Sequence, residues 1–155
     1  MEWIFIAFLV VSMLHMGEEY FYPGGFMDLK KRVNPKFAPL VTVPMEVTIN
    51  GLELLLCLIA MAIGKKALAF SMSVAALLFI NGLVHIIGCI WVKGYVPGVI
   101  TGVVLFMPLS VYAYYLCISS GQLGLNGVIL TGVLGSLYHA VPISYFLVAS
   151  AIRRA

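Results

Sequence analysis

Apolar residues come in long runs separated by a few short polar stretches, and this pattern predicts the elements. The first run, Trp3 to Leu14, meets His15-Met16-Gly17-Glu18-Glu19 and resumes at Tyr20-Phe21-Tyr22 before Pro23-Gly24-Gly25. Its purely apolar part is shorter than the ~20 residues a spanning helix needs. A helix over about 2–22 therefore carries the His-Glu-Glu stretch inside the span. The polar loop that follows, with Asp28, Lys30, Lys31, Arg32, Asn34, Pro35, Lys36 and Pro39, has room for a short surface helix. A second helix is expected over about 43–63, with Pro44 in its first turn, where proline is tolerated. Gly64-Lys65-Lys66 turns the chain into a third helix, about 67–92. Lys93-Gly94-Tyr95-Val96 is the next turn, and Pro97-Gly98 opens a fourth helix, about 97–119. An uncharged turn from Ser120 leads to a fifth, about 125–151, which ends in Arg153-Arg154. Pro108 and Pro142 are expected to kink the fourth and fifth helices. The pairs Gly98/Gly102 and Gly132/Ser136, each four residues apart, suit close helix approach.

The runs are apolar on every side. A barrel would alternate polar and apolar positions, so the pattern excludes one. Composition sharpens this: the 155 residues are 63% hydrophobic and 10% charged. A soluble domain is about half apolar and a quarter charged. The expected fold is an all-α integral membrane protein, a single five-helix transmembrane bundle with no separate soluble domain. Glu2 stands where a signal peptide is positive, and no small-residue cleavage site follows, so the first run is read as a spanning helix. The 1–2 loop, the 3–4 turn and the C-terminus together hold seven basic residues, against Lys65 and Lys66 on the opposite side. This asymmetry puts the N-terminus outside and the C-terminus in the cytoplasm, in the cytoplasmic membrane of a prokaryote. The net charge of +3 sits in short loops and implies no nucleic-acid partner. Cys57, Cys89 and Cys117 fall in different runs without CxxC spacing and are read as small core residues. Tyr112, Tyr114 and Tyr115 fit an interfacial belt.

The chemistry lies in the polar residues inside the spans. His15, Glu18 and Glu19 share one helix face at i, i+3 and i+4. A charge at the centre of a membrane helix costs at least ~2.5–3.5 kcal/mol, so such a group implies a function. At ~1.5 Å per residue, His15, His85 and His139 fall at similar height, with most of the carboxylates beside them. Glu46, Asn50 and Glu53 share a face of the second helix. Imidazoles and carboxylates on facing helices are the ligands of zinc, iron or manganese sites, often dinuclear. The expected metal ligands are His15, Glu18, Glu19, Glu53, His85 and His139, holding one or two divalent ions, zinc or iron. Glu53 and Glu19 are candidate catalytic groups, and Asn81, one turn from His85, is a candidate to orient an imidazole. Other roles stay open: Glu46 as a first-turn carboxylate complementing the helix dipole, Glu19 paired with Lys30, Lys31 or Arg32, and Asn50 as interhelical glue. The expected activity is a metal-dependent membrane enzyme acting by hydrolysis or oxidation on a lipid or other hydrophobic molecule, among membrane lipids. A metal-free isomerase using His/Glu proton transfer, or a proton-coupled transporter, would use the same groups.

The motifs also carry a resemblance. His15-Met16-Gly17-Glu18-Glu19, then Asn81-Gly82-Leu83-Val84-His85, then Pro97-Gly98 within Tyr95-Val96-Pro97-Gly98 resemble the HxxEE-motif family of small integral membrane proteins. That family is defined by HxxEE, NxxxH and a proline-glycine signature in this order. The resemblance implies an enzyme of unspecified reaction, with His15, Glu18, Glu19, Asn81 and His85 in its site. It implies nothing for Glu53 or His139. The organisation is also similar to that of five-helix sterol isomerases, without a matching motif.

Overall fold

Thr42 starts the longest helical stretch. Its hydroxyl accepts a hydrogen bond from the Met45 N–H at 3.4 Å, and Pro44, with no N–H to leave unsatisfied, follows in the first turn of α3, Val43–Ile63. Gly64, at φ 49°, closes α3 and begins a 3₁₀ turn, Gly64–Ala67. From there α4, Leu68–Val92, returns alongside α3, and Asn81 of α4 reaches Glu53 of α3. The computed structural model describes residues 2–21, 24–32 and 42–152. Within them α1 is Glu2–Phe21, and α2, Gly25–Arg32, is the short surface helix the polar loop had room for. α5 (Val99–Thr101), a π-helical turn (Gly102–Phe106) and α6 (Met107–Ser119) run on without a break, followed by α7 (Leu125–Tyr138) and α8 (Ala140–Ile152). Tyr22, Pro23, the loop residues Asn34 to Pro39 and the terminal Arg153-Arg154 lie outside the described residues.

No strand occurs among the described residues. Four helical stretches are long and apolar enough to cross a membrane: Glu2–Phe21, Val43–Val92, Val99–Ser119 and Leu125–Pro142. The distribution of side chains fits a membrane protein, because large apolar residues face outward and ionisable ones are buried beside the apolar core. Large apolar residues such as Trp91, Ile90, Leu125 and Val104 point outward, while His15, Glu19, Glu46, Glu53 and His85 are buried. In water such an apolar surface would drive association; hydrocarbon removes that cost.

α4 is the central helix. Its stretch Ser71 to Leu78 is buried throughout and packs with Ile4, Phe5 and Phe8 of α1, Cys57 and Ala60 of α3, and Phe106, Ala113 and Cys117 beyond. α7 crosses α4 at Gly135, where an added Cβ would lie 2.5 Å from the Ala76 Cβ. The expected Gly132/Ser136 face is not this contact: a Cβ at Gly132 meets nothing within 4 Å and Ser136 is exposed.

Two prolines shape the second half. The fifth helix, expected over 125–151, divides at His139, because Pro142 has no N–H for the Tyr138 carbonyl and its ring crowds that carbonyl. The disturbance expected from Pro108 takes the form of the π-helical turn before it, where the Met107 N–H reaches back to the Gly102 carbonyl. Tyr114 departs from its expected interfacial place. Its half-buried hydroxyl lies 2.7 Å from Thr131 Oγ1 and donates to the Met72 carbonyl at 3.2 Å, tying three helices together. Tyr112 and Tyr115 stay exposed.

Candidate functional site

α1 delivers its three ionisable groups on one face, as the i, i+3, i+4 spacing requires, and each meets a different neighbour. Glu18 faces the loop and helix start at Tyr95–Thr101. The Tyr95 hydroxyl and the Ile100 N–H donate to its Oε1 at 2.6 and 3.0 Å. The Thr101 N–H and hydroxyl donate to its Oε2 at 2.7 and 2.5 Å. The first amides of a helix have no partner within it, and here a carboxylate from another helix supplies one. With these donors in place Glu18 is an anchor for the helix that Pro97-Gly98 opens.

Glu19 meets other partners. Its Oε2 accepts from Asn50 Nδ2 of α3 at 2.8 Å. Its Oε1 lies 3.5 Å from His15 Nε2 and 3.2 Å from His85 Nε2. These three groups, all buried, each offer one ligand atom within 4.8 Å of the others, the one such cluster of His, Cys, Asp and Glu among the described residues. Of the basic residues expected to pair with Glu19, Arg32 instead donates to the Tyr95 carbonyl at 2.8 Å, strapping α2 to the 93–98 turn, and the side chains of Lys30 and Lys31 lie outside the described ones.

The two imidazoles meet edge to face, with ring centroids 4.8 Å apart, and the Phe106 ring covers His15 at 4.3 Å. His15 Nδ1 lies 2.8 Å from Thr101 Oγ1. His15 Nε2 and His85 Nδ1 are buried with no hydrogen-bond partner. Gly98 explains the proline-glycine signature. It sits at φ +92°, and a Cβ there would fall 2.5 Å from His85 Cε1 and 2.7 Å from His15 Cε1, so both rings pack against a bare Cα.

Glu53 lies outside this cluster. Its Oε2 accepts from Asn81 Nδ2 at 2.8 Å and its Oε1 is buried without a partner. Asn81 thus holds a carboxylate rather than the imidazole it was expected to orient. Glu19, Glu46, Asn50, Glu53, Asn81, His85 and His139 line a cavity of about 270 Å³ between α3, α4 and the α7–α8 break. His139 sits at that break, its Nδ1 3.4 Å from the Gly135 carbonyl, and so shares the cavity without joining the cluster. The other walls are apolar, including Leu52, Leu56, Leu77 and Pro142, with half-exposed Val84 and Val141 at the rim. The sequence reading missed Thr101 and Tyr95 as site residues. A threonine in the first turn after Pro-Gly was the available signal; nothing local marks Tyr95.

Fold and site together define a class: a helical protein with helices long and apolar enough to cross a membrane and a histidine-glutamate cluster buried between α1 and α4. Within that class, the family described as protein of unknown function with HXXEE motif matches over residues 6–113, and the chain belongs to it. No curated protein and no solved structure matches the chain significantly.

Proposed function

We propose that the chain is an integral membrane enzyme that holds a divalent metal at His15, Glu19 and His85 and acts by hydrolysis or oxidation on a lipid or other hydrophobic molecule. The observation that carries this is the cluster itself. A carboxylate oxygen and two imidazole Nε2 atoms converge in a buried site, and His15 Nε2 has no hydrogen-bond partner. A buried imidazole nitrogen without a partner is costly, and a cation held between it, Glu19 and His85 would offset that cost. Two nitrogens and one oxygen suit zinc, iron or manganese. Glu18, saturated by its donors, leaves the ligand set expected from sequence. The cluster supplies ligands for one ion; a second would have to draw on Glu53 and His139 across the cavity.

The remaining residues have distinct parts. A bound ion supplies Lewis-acid activation of water or, for iron, of dioxygen. Glu53, fixed at one oxygen by Asn81, keeps Oε1 for taking a proton from water or substrate. His139 offers a second proton-handling group on the opposite wall. The apolar walls and the rim at Val84 and Val141 suit a hydrocarbon body entering sideways from the bilayer. Taking α3 and α4 as separate crossings makes five spans. The seven-to-two basic asymmetry then puts the N-terminus outside and the cavity towards the cytoplasmic half of a prokaryotic plasma membrane.

The test is elemental analysis of protein purified without a histidine tag. It should carry about one equivalent of zinc, iron or manganese, as such bundles do. His85→Ala should lose it, and chelation should lower the melting temperature, because a ligand that binds only the folded state stabilises it. Protein that is metal-free, takes up none of these ions on incubation and does not change its melting temperature sinks the metal. Glu53 and the histidines would then be the groups of a metal-free proton-transfer enzyme.

A further inference from the structure

Thr101 belongs to none of the motifs, yet it is the only link between the saturated carboxylate and the cluster that the hydrogen bonds of the described residues provide. Its Oγ1 lies 2.5 Å from Glu18 Oε2, 2.8 Å from His15 Nδ1 and 3.4 Å from the Gly98 carbonyl. We infer that Thr101 is a positioning residue, which fixes His15 in the tautomer with its proton on Nδ1 and a bare lone pair on Nε2.

The argument is a count of protons. A threonine hydroxyl has one proton to give and lone pairs to receive. Glu18 also receives the Tyr95 hydroxyl and the Ile100 and Thr101 amides, so it stands in this network as an ionised, acceptor-only group. The 2.5 Å contact is the short one, in the range of a hydroxyl donating to a carboxylate, and it takes the Thr101 proton ahead of the 3.4 Å contact to Gly98. Oγ1 can then only accept from His15, and the ring must carry its hydrogen on Nδ1. A neutral imidazole has one N–H, so Nε2 is left bare. That atom faces Glu19 Oε1 at 3.5 Å and is buried with no partner. Free histidine in water favours the other tautomer, so the relay opposes the ring's own preference. It also keeps Nε2 ready for a cation without any proton having to leave. Thr101 is held for this task twice, because its own N–H is bound to the same carboxylate. Phe106 and the bare Cα of Gly98 keep the ring from turning over.

The tautomer stands apart from the metal reading; only its consequence for ion affinity rests on that reading. The experiment is nitrogen-15 NMR of chelator-treated full-length protein labelled at histidine, at a pH where the His15 ring is neutral. Signals are assigned through single substitutions at His85 and His139. Wild type should show an N–H at Nδ1 of His15 and a pyridine-like Nε2. Thr101→Val, of the same shape without the hydroxyl, should move the hydrogen to Nε2, and Thr101→Ser should restore the wild-type pattern. Zinc affinity, measured on the same samples, should fall about 10–100-fold in Thr101→Val, the usual effect of removing a group that orients a ligating histidine, and recover in Thr101→Ser. An Nε2–H in wild type, or an unchanged tautomer in Thr101→Val, overturns the inference. If Thr101→Val does not fold, the wild-type spectrum decides alone. A tautomer that moves as described in a protein that binds no zinc upholds Thr101 and removes the metal.

Discussion

Glu18 meets a hydroxyl and two amides from the segment Tyr95–Thr101 and a second hydroxyl from Thr101, whereas Glu19, the next residue, meets one amide and the nitrogens of two imidazoles. Both are buried carboxylates on one helix, yet one has its oxygens answered by hydroxyls and backbone amides and the other shares an oxygen between two imidazoles. The difference separates two tasks within a single motif. The first glutamate fixes the position of the helix that follows Pro97-Gly98, and with it Thr101 and Phe106 around His15. The second is held by Asn50 and shares its other oxygen between two imidazoles, a grouping that suits the cation proposed above.

The largest effect expected is at Gly98, where the two regions meet. Gly98→Ala would force a non-glycine residue into a positive-φ backbone, about 1–3 kcal/mol, and overpack both imidazole edges, about 1–3 kcal/mol more. A thermal melt in detergent should show a large loss of stability, with loss of any bound ion. A wild-type melt and intact ion binding would mean the rings do not need the bare Cα. Next comes Asn50→Ala. Glu19 leans on this amide, and a hydrogen bond to a charged group contributes about 1.5–3 kcal/mol. Tyr95→Phe should be milder, about 0.5–1.5 kcal/mol, because the amides and Thr101 still answer Glu18. Melting temperatures that rank Tyr95→Phe below Asn50→Ala would reverse the comparison.

Most of the helical segments and the proximity of His15, Glu19 and His85 were legible in the sequence, for identifiable reasons, whereas Glu53 lies beside that cluster on the cavity wall. α3 is bounded by a threonine cap with proline behind it and by a glycine, so both ends are local and its range agrees with the pattern. Buried ionisable groups at matching depth on several helices had little choice but to meet. What local pattern could not reveal was which partner each would find. Glu18 caps a helix that starts about eighty residues later, and its i, i+3 spacing from His15 suited a ligand equally well. Asn81 is one turn from His85 in sequence, but its amide points across to α3. The break at His139 follows from Pro142, whose expected kink became a full interruption and put His139 on the cavity wall instead of in the cluster.

The division of labour between the two glutamates can be measured directly by comparing Glu18→Gln with Glu19→Gln, each melted with and without zinc. In Glu18→Gln an amide NH₂ must face groups that are themselves donors, so the metal-free protein should lose about 1–3 kcal/mol while still gaining stability from saturating zinc. In Glu19→Gln the carbonyl can keep Asn50 and the NH₂ can donate to the partnerless His15 Nε2. The metal-free protein should then melt no lower than wild type, and zinc should no longer raise its melting temperature. The opposite pattern, with zinc stabilisation lost in Glu18→Gln and kept in Glu19→Gln, would contradict the account.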